Sequence, residues 1–201
     1  MNCSGKDNPP RPDTAAVGST LGVDPAAVIA RTLVLGYGNP LRGDDGAGAA
    51  VIERLQRPSP LPEAEGAAAT SPLTKAEEVG LLTAHQLMPE HVDELVQADH
   101  VIFVDASVEV PAGEVRARTV VADTTGEAAT TAHHMTPAVL LGLCEAMYAR
   151  APAATTIAIG VEAMGYGEAL SPTVDRAVDQ AVRHIREMLN ARNRAEAIGH
   201  A

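Results

Sequence analysis

The chain has 201 residues, 46% of them hydrophobic, enough for one substantial core and too few for two ordinary domains. Its formal net charge of -11 opposes binding to a phosphate backbone, which needs a clustered basic surface, so nucleic acid is not an expected partner. Aromatics make up 2% of the chain with no Trp, which leaves the core to Ala, Val, Leu, Ile and Met and removes the platforms on which bases and sugars stack.

Residues 1–30 mix Pro, Gly, Ser and Asp without periodicity and read as a disordered extension. A single domain is expected over residues 31–190, with residues 191–201 as a tail. "RTLVLGYG" is a short apolar run ending in glycines, and "GAGAAVIERLQ" behind it carries Val51, Ile52 and Leu55 at helical spacing, which predicts strand, loop and helix. Four prolines between Pro58 and Pro72 mark a long surface loop. A second strand is expected over Glu78 to Ala84. "MPEHVDELVQA", with Pro89 near its start and Val92, Leu95 and Val96 on one face, predicts a short helix.

"HVIFVDAS" places four apolar residues in a row before Asp105, the pattern of a parallel strand covered on both faces. Glu114 to Ala122 alternates instead and predicts an edge strand of antiparallel sense. Thr136 followed by Pro137 is a helix start, with the helix running to about residue 149. "TTIAIGVEA" is the last strand. In the final helix Ser171 caps, Pro172 starts, and Val174, Ala177, Val178, Ala181, Val182, Ile185, Met188 and Leu189 form one apolar stripe. The expected fold is α/β, three-layer: a twisted, mostly parallel sheet of about five strands with helices on both faces. In such sheets sites form at the carboxyl ends of the strands, which puts the loop after Leu35 and the residue after Val104 on one edge.

The glycine loop "LVLGYGNPLRGDDGAG" is not a dinucleotide fingerprint, because Gly36 and Gly38 are followed by Leu41 where a third glycine is required. Nor is it a phosphate loop, since Asp44 and Asp45 set two negative charges where backbone N–H groups should receive an anion. Either aspartate has a structural reading as a helix cap; adjacent residues project differently, so one of the pair is free for other work. Asp105 is either a buried partner for an N–H or a group in the crevice. His133 and His134 stand in a loop just before a helix start. Two carboxylates and a histidine from three separate loops on one edge form an O,O,N donor set of the kind that binds a divalent transition metal with positions left open.

His85, His91, His100, His184 and His200 are scattered and read as structural. No G-x-S-x-G is present to make Ser107 a nucleophile, and Cys144 sits among Leu140, Leu141, Leu143 and Met147 as a core residue. Cys3 and Cys144 supply neither a disulfide framework nor a thiolate site. No stretch approaches the roughly 20 apolar residues that span a bilayer, and the N-terminus lacks a basic segment followed by an apolar run. The expectation is a cytoplasmic chain without membrane contact.

"LVLGYGNPLRGDDGAG", "VIFVDAS" and "AHHMTPAVLLGL" together resemble the hydrogenase maturation proteases, nickel-dependent endopeptidases that trim the C-terminus of the large subunit of nickel-iron hydrogenases. The resemblance covers about residues 31 to 190. "HQLMPEHVDEL", "HHMTPAVLLGL" and "GVEAMGYGEALS" point to the branch serving NAD-linked bidirectional hydrogenases. It implies a five-stranded, mostly parallel sheet between helices, and metal ligands at Asp45, Asp105 and His133, with His134 as the fallback. It further implies that these residues act catalytically on nickel already inserted in the large-subunit precursor, by polarising the scissile carbonyl, activating water, or using a carboxylate as general base. Asp44 would be a structural neighbour, and Gly36, Gly38, Gly43, Gly46 and Gly48 would let the backbone turn around the site. The resting protein is expected to be a monomer with little affinity for free nickel. Two rival readings are a non-cleaving, nickel-dependent chaperone and a Mg²⁺-dependent hydrolase of a small phosphorylated substrate, for which Arg42 is the one basic residue nearby in sequence.

Overall fold

The first apolar run forms strand β1 (Thr32–Tyr37), with Val34 and Leu35 fully buried on opposite faces because successive side chains alternate across a strand. The computed structural model describes residues 31–57, 79–125, 135–162, 164–167 and 169–199, with side chains up to residue 191. The 1–30 extension, most of the Pro-rich loop and the His133–His134 segment lie outside the described residues. After β1 come a 3-10 turn over Gly43–Gly46 and helix α1 (Ala47–Gln56). Strands β2 (Val79–Ala84), β3 (His100–Ser107), β4 (Val115–Val120) and β5 (Ala153–Gly160) complete a five-stranded sheet of order β2-β1-β3-β5-β4. All neighbours are parallel except β4, which pairs antiparallel with β5 at the edge.

Helices α1 and α4 (Pro172–Gly199) cover one face of the sheet. Val51, Ile52 and Leu55 of α1, with Val174, Val178 and Ile185 of α4, pack there on Val34, Ile102, Val104 and Ile157. Helices α2 (Val92–Leu95) and α3 (Pro137–Tyr148) cover the other, where Leu95, Leu140, Leu141 and Cys144 meet Leu35, Val101 and Phe103. The chain is therefore the three-layer α/β structure its periodicities predict. Seven of the eight stripe residues of α4 are buried, and the eighth, Met188, packs partly against the same core.

The caps are in place: Thr136 Oγ1 accepts the Val139 N–H at 3.3 Å, and Ser171 Oγ accepts the Val174 N–H at 3.3 Å. Two helices differ in length from expectation. Helix α2 is a single turn preceded by a 3-10 turn over Pro89–His91, because the Arg150 guanidinium takes the Val96 and Ala98 carbonyls at 2.7 and 3.0 Å and closes its C-terminal end. Helix α4 runs on past residue 190 to Gly199, although its last buried apolar position is Leu189. Among the described residues no helix is long and apolar enough to cross a membrane.

Two glycines set how closely the loop and α1 approach β1. A Cβ on Gly36 would lie 2.2 Å from the Gly48 carbonyl oxygen, so only Gly lets α1 sit this close to the sheet. Gly38 has φ +130°, and a Cβ there would meet the Asp45 carbonyl oxygen at 2.0 Å. The loop folds back on the strand end for that reason.

Candidate active site

The sheet order reverses between β1 and β3: the chain leaves β1 for β2 on one side and returns to β3 on the other. Crevices form at such switch points, outside the carboxyl ends of the strands. A cleft of about 440 Å³ lies here, and Tyr37, Gly38, Asp45 and Asp105 are among the residues that line it. Asp105 does not end its strand as expected; β3 runs two residues further, to Ser107. Its register with β1 stops at Gly36 opposite Val104, so Asp105 stands one residue beyond the β1 ladder while still pairing with Ala158 of β5.

Asp105 is largely buried. Burial, and to a lesser degree the Asp45 charge, push its carboxyl up to about 6, against the opposing pull of hydrogen bonds from the Tyr37 hydroxyl and the Ala106 N–H. The same burial and the Asp105 charge raise the Tyr37 phenol, which stays a neutral donor. Asp45 is fixed from its own loop: Oδ2 accepts the Asn39 N–H at 3.2 Å and lies 3.9 Å from an Arg42 guanidinium nitrogen. The Asn39 carboxamide in turn accepts the Leu41 N–H at 3.0 Å, and the Gly38 N–H bonds the Ala84 carbonyl at 3.2 Å. Two carboxylates are thus held in one cleft, Asp105 by neutral donors and Asp45 by a backbone N–H beside the Arg42 guanidinium, close enough for the Asp45 charge to raise Asp105.

Neither aspartate caps its own helix, since no side-chain bond is made at the Arg42 or Gly46 caps. Gly43, with φ +57°, turns the chain so that Asp44 points inward. Asp44 is buried, and its Oδ1 accepts the Ser171 N–H at 2.6 Å, 127 residues away at the start of α4. Asp44 is the structural member of the pair, tied to α4 rather than to α1.

The donor set fits a cation in part. Paired carboxylates in a semi-buried cleft repel each other, and a divalent ion removes that penalty. The expected nitrogen ligands His133 and His134 lie outside the described residues, and among the described residues no three His, Cys, Asp or Glu side chains are placed to hold a metal ion. Sequence reasoning misses three features. Tyr37 stands inside the glycine loop stretch without a role assigned to it, although the alternation Leu33, Leu35, Tyr37 puts it on one face of β1 at its end. His85, with a structural reading in the sequence, lines the cleft from the end of β2. Beside Gln86, the rest of the lining is apolar: Leu87, Met88 and Pro89 after β2, Ala106 of β3, Met135 before α3 and Met164 before α4. Of the other histidines, His91 Nδ1 accepts the Met88 N–H at 2.9 Å, His100 pairs with Thr155 at 3.2 Å, His184 is on the exposed face of α4, and His200 lies outside the described residues. Ser107 Oγ accepts the Glu109 N–H at 3.2 Å in a turn, and buried Cys144 has its thiol raised by burial.

No family model and no curated relative matches the chain. Solved structures do. The fold is similar to a hydrogenase 2 maturation peptidase from a Thaumarchaeota archaeon, at 25% identity over 79% of this chain and 97% of that one, TM-score 0.54. It is also similar to the nickel-iron hydrogenase maturation protease HycI of Thermococcus kodakarensis (22% identity, 82% and 95% covered, TM-score 0.58). A third similar structure is the hydrogenase maturating endopeptidase HybD of Escherichia coli (24%, 80% and 93%, TM-score 0.56). The structural neighbours are hydrogenase maturation proteases at low sequence identity, and the α/β architecture is theirs.

Proposed function

We propose that this chain is a nickel-dependent endopeptidase that removes the C-terminal extension of a nickel-iron hydrogenase large-subunit precursor, with Asp45, Asp105 and His133 meeting the nickel that the precursor carries. The observation that carries the reading is the meeting of Asp45, from the turn after β1, and Asp105, from β3, in one open cleft at the sheet's switch point. The fold shared with maturation peptidases supports it. The "HQLMPEHVDEL" and "HHMTPAVLLGL" stretches favour an NAD-linked bidirectional hydrogenase as the source of the precursor.

Each carboxylate is aimed by the chain's own groups. Asn39 N–H and Arg42 keep Asp45 turned to the cleft; Tyr37 O–H and Ala106 N–H keep Asp105 there. Each carboxylate retains acceptor positions beyond those bonds, for a cation or for a proton from water. Substrate nickel supplies Lewis-acid chemistry at the scissile carbonyl or at water. Because the metal arrives with the substrate, a precursor without it offers the two carboxylates nothing to bind, and cleavage waits until insertion is complete.

The test is to incubate purified nickel-loaded precursor with the wild-type chain and with Asp45→Asn and Asp105→Asn, and to weigh the products by mass spectrometry. Loss of the C-terminal fragment is expected with wild type only, with each variant slowed at least about a hundredfold, the order of a lost charge-stabilising group. Cleavage by both variants at the wild-type rate overturns the assignment. Binding of the precursor without cleavage by the wild type makes the chain a chaperone instead.

A further inference from the structure

The cleft is larger than a metal ion needs. Its volume of about 440 Å³ falls in the range of roughly 300–1,000 Å³ found for ligand-sized sites. Its lining has two chemically distinct parts: the carboxylates of Asp45 and Asp105, and the apolar side chains of Leu87, Met88, Met135 and Met164. Resting on the peptidase reading, we infer that this apolar side is a subsite for an aliphatic side chain of the substrate peptide, next to the bond presented to Asp45 and Asp105.

The wall is continuous with both cores. Met164 packs against the apolar cluster under α1 and α4, Met135 against the cluster under α2 and α3, and Leu87 is a buried member of the latter. Both faces of the sheet therefore come to the surface at this one place, and the three methionines are only half-buried there. Half-buried thioethers cover apolar surface poorly while the cleft is open; a side chain entering from the peptide completes the burial that the fold leaves undone. Methionine is unbranched and flexible, so a wall of three accepts several aliphatic shapes rather than one. Exposed His85 and Gln86 form a polar lip above it, and the Gln86 amide is turned onto Met88 Sδ at 3.0 Å. An acidic side chain is disfavoured twice, by the apolar wall and by the two aspartates of the same cleft.

The test reads binding rather than cleavage. The full chain is labelled on its methionine methyl groups and titrated with acetyl-Gly-Leu-Gly-Gly-amide, then with the twin carrying Asp in place of Leu. The Leu peptide is expected to shift Met88, Met135 and Met164 together and saturably while Met147 and Met188 stay in place, and the Asp twin to bind at least about tenfold more weakly, the scale of burying one such side chain. Met164→Lys should reverse the order of the two peptides. Equal affinity for the twins, shifts spread evenly over all the methionines, or no saturable shift up to the solubility limit overturns the subsite. Because no bond is cut in the titration, its failure is separate from that of the peptidase assay.

Discussion

The two sides of the cleft are built by opposite means. The acidic side is a short stretch of chain folded on itself, in which backbone N–H groups and glycines leave each atom one place to go. Asn39 N–H holds Asp45, the Gly38 N–H holds the loop to β2, and Gly36 brings α1 against β1. The apolar side is gathered from three separated connections, after β2, before α3 and before α4, and apart from the Gln86 amide on Met88 Sδ its side chains are placed by packing alone among the described residues. Charge must be positioned because Coulomb energy and hydrogen bonding are directional and steep. Apolar contact need only be close, so the second side tolerates variation that the first does not.

The largest difference between the sides is expected at Gly38. Alanine there must hold φ near +130° and carry a Cβ into the Asp45 carbonyl oxygen, so Gly38→Ala should cost about 3–5 kcal/mol, strain and overpacking together. Met135→Leu on the facing side conserves volume and should cost under about 1.5 kcal/mol. Urea midpoints of the two variants at equal slope measure both; similar losses would mean that the acidic side is no more rigid than the other.

A smaller effect comes from the Asp105 carboxyl itself. Raised from 3.8 to about 6 in the fold, it binds more proton in the folded than in the unfolded chain between those values, so its contribution to stability falls as pH rises through that window and stays low above it. Two pKa units correspond to at most about 3 kcal/mol. Asp105→Asn keeps an acceptor for the Tyr37 hydroxyl and removes the charge. The variant should be more stable than wild type at pH 7 and equal to it below about pH 4, while failing to process precursor. Unfolding curves of both proteins in chelator across this range decide it, and parallel curves would show that Asp105 is not penalised by its surroundings.

Much of this is legible in the sequence, and the reasons are physical. Strands β1 and β3 show as unbroken apolar runs because both of their faces are covered, and α4 shows as a stripe because only one is. Asp45 and Asp105 can be assigned to one edge because parallel strands point their carboxyl ends the same way. His85 satisfies the same rule, as the residue just after β2, yet an isolated histidine carries no spacing signal of its own. The methionine side carries even less. Met88, Met135 and Met164 are far apart in sequence, none belongs to a periodic stripe, and their association depends on where three loops come to rest.

Asp44 is the tie between the two sides. Its carboxylate, in the acidic loop, accepts from Ser171 at the end of the segment that carries Met164, and the backbone bond from Gly43 N–H to the Gly167 carbonyl at 2.5 Å joins the same two stretches. Asp44→Ala removes one of these ties and leaves the Ser171 N–H without its partner at the start of α4. The loss should be about 1–2 kcal/mol, the range of a helix cap, and not more, because the Gly43 bond and the buried stripe of α4 remain. The consequence for the contrast is specific. If the sides are held independently, Asp44→Ala lowers stability and leaves the methyl resonance of Met164 unmoved; if Asp44 sets the width of the cleft, that resonance shifts while those of Met88 and Met135 do not. A shift of all three would mean that the apolar side is one packed unit after all, and that flexibility is not what distinguishes it.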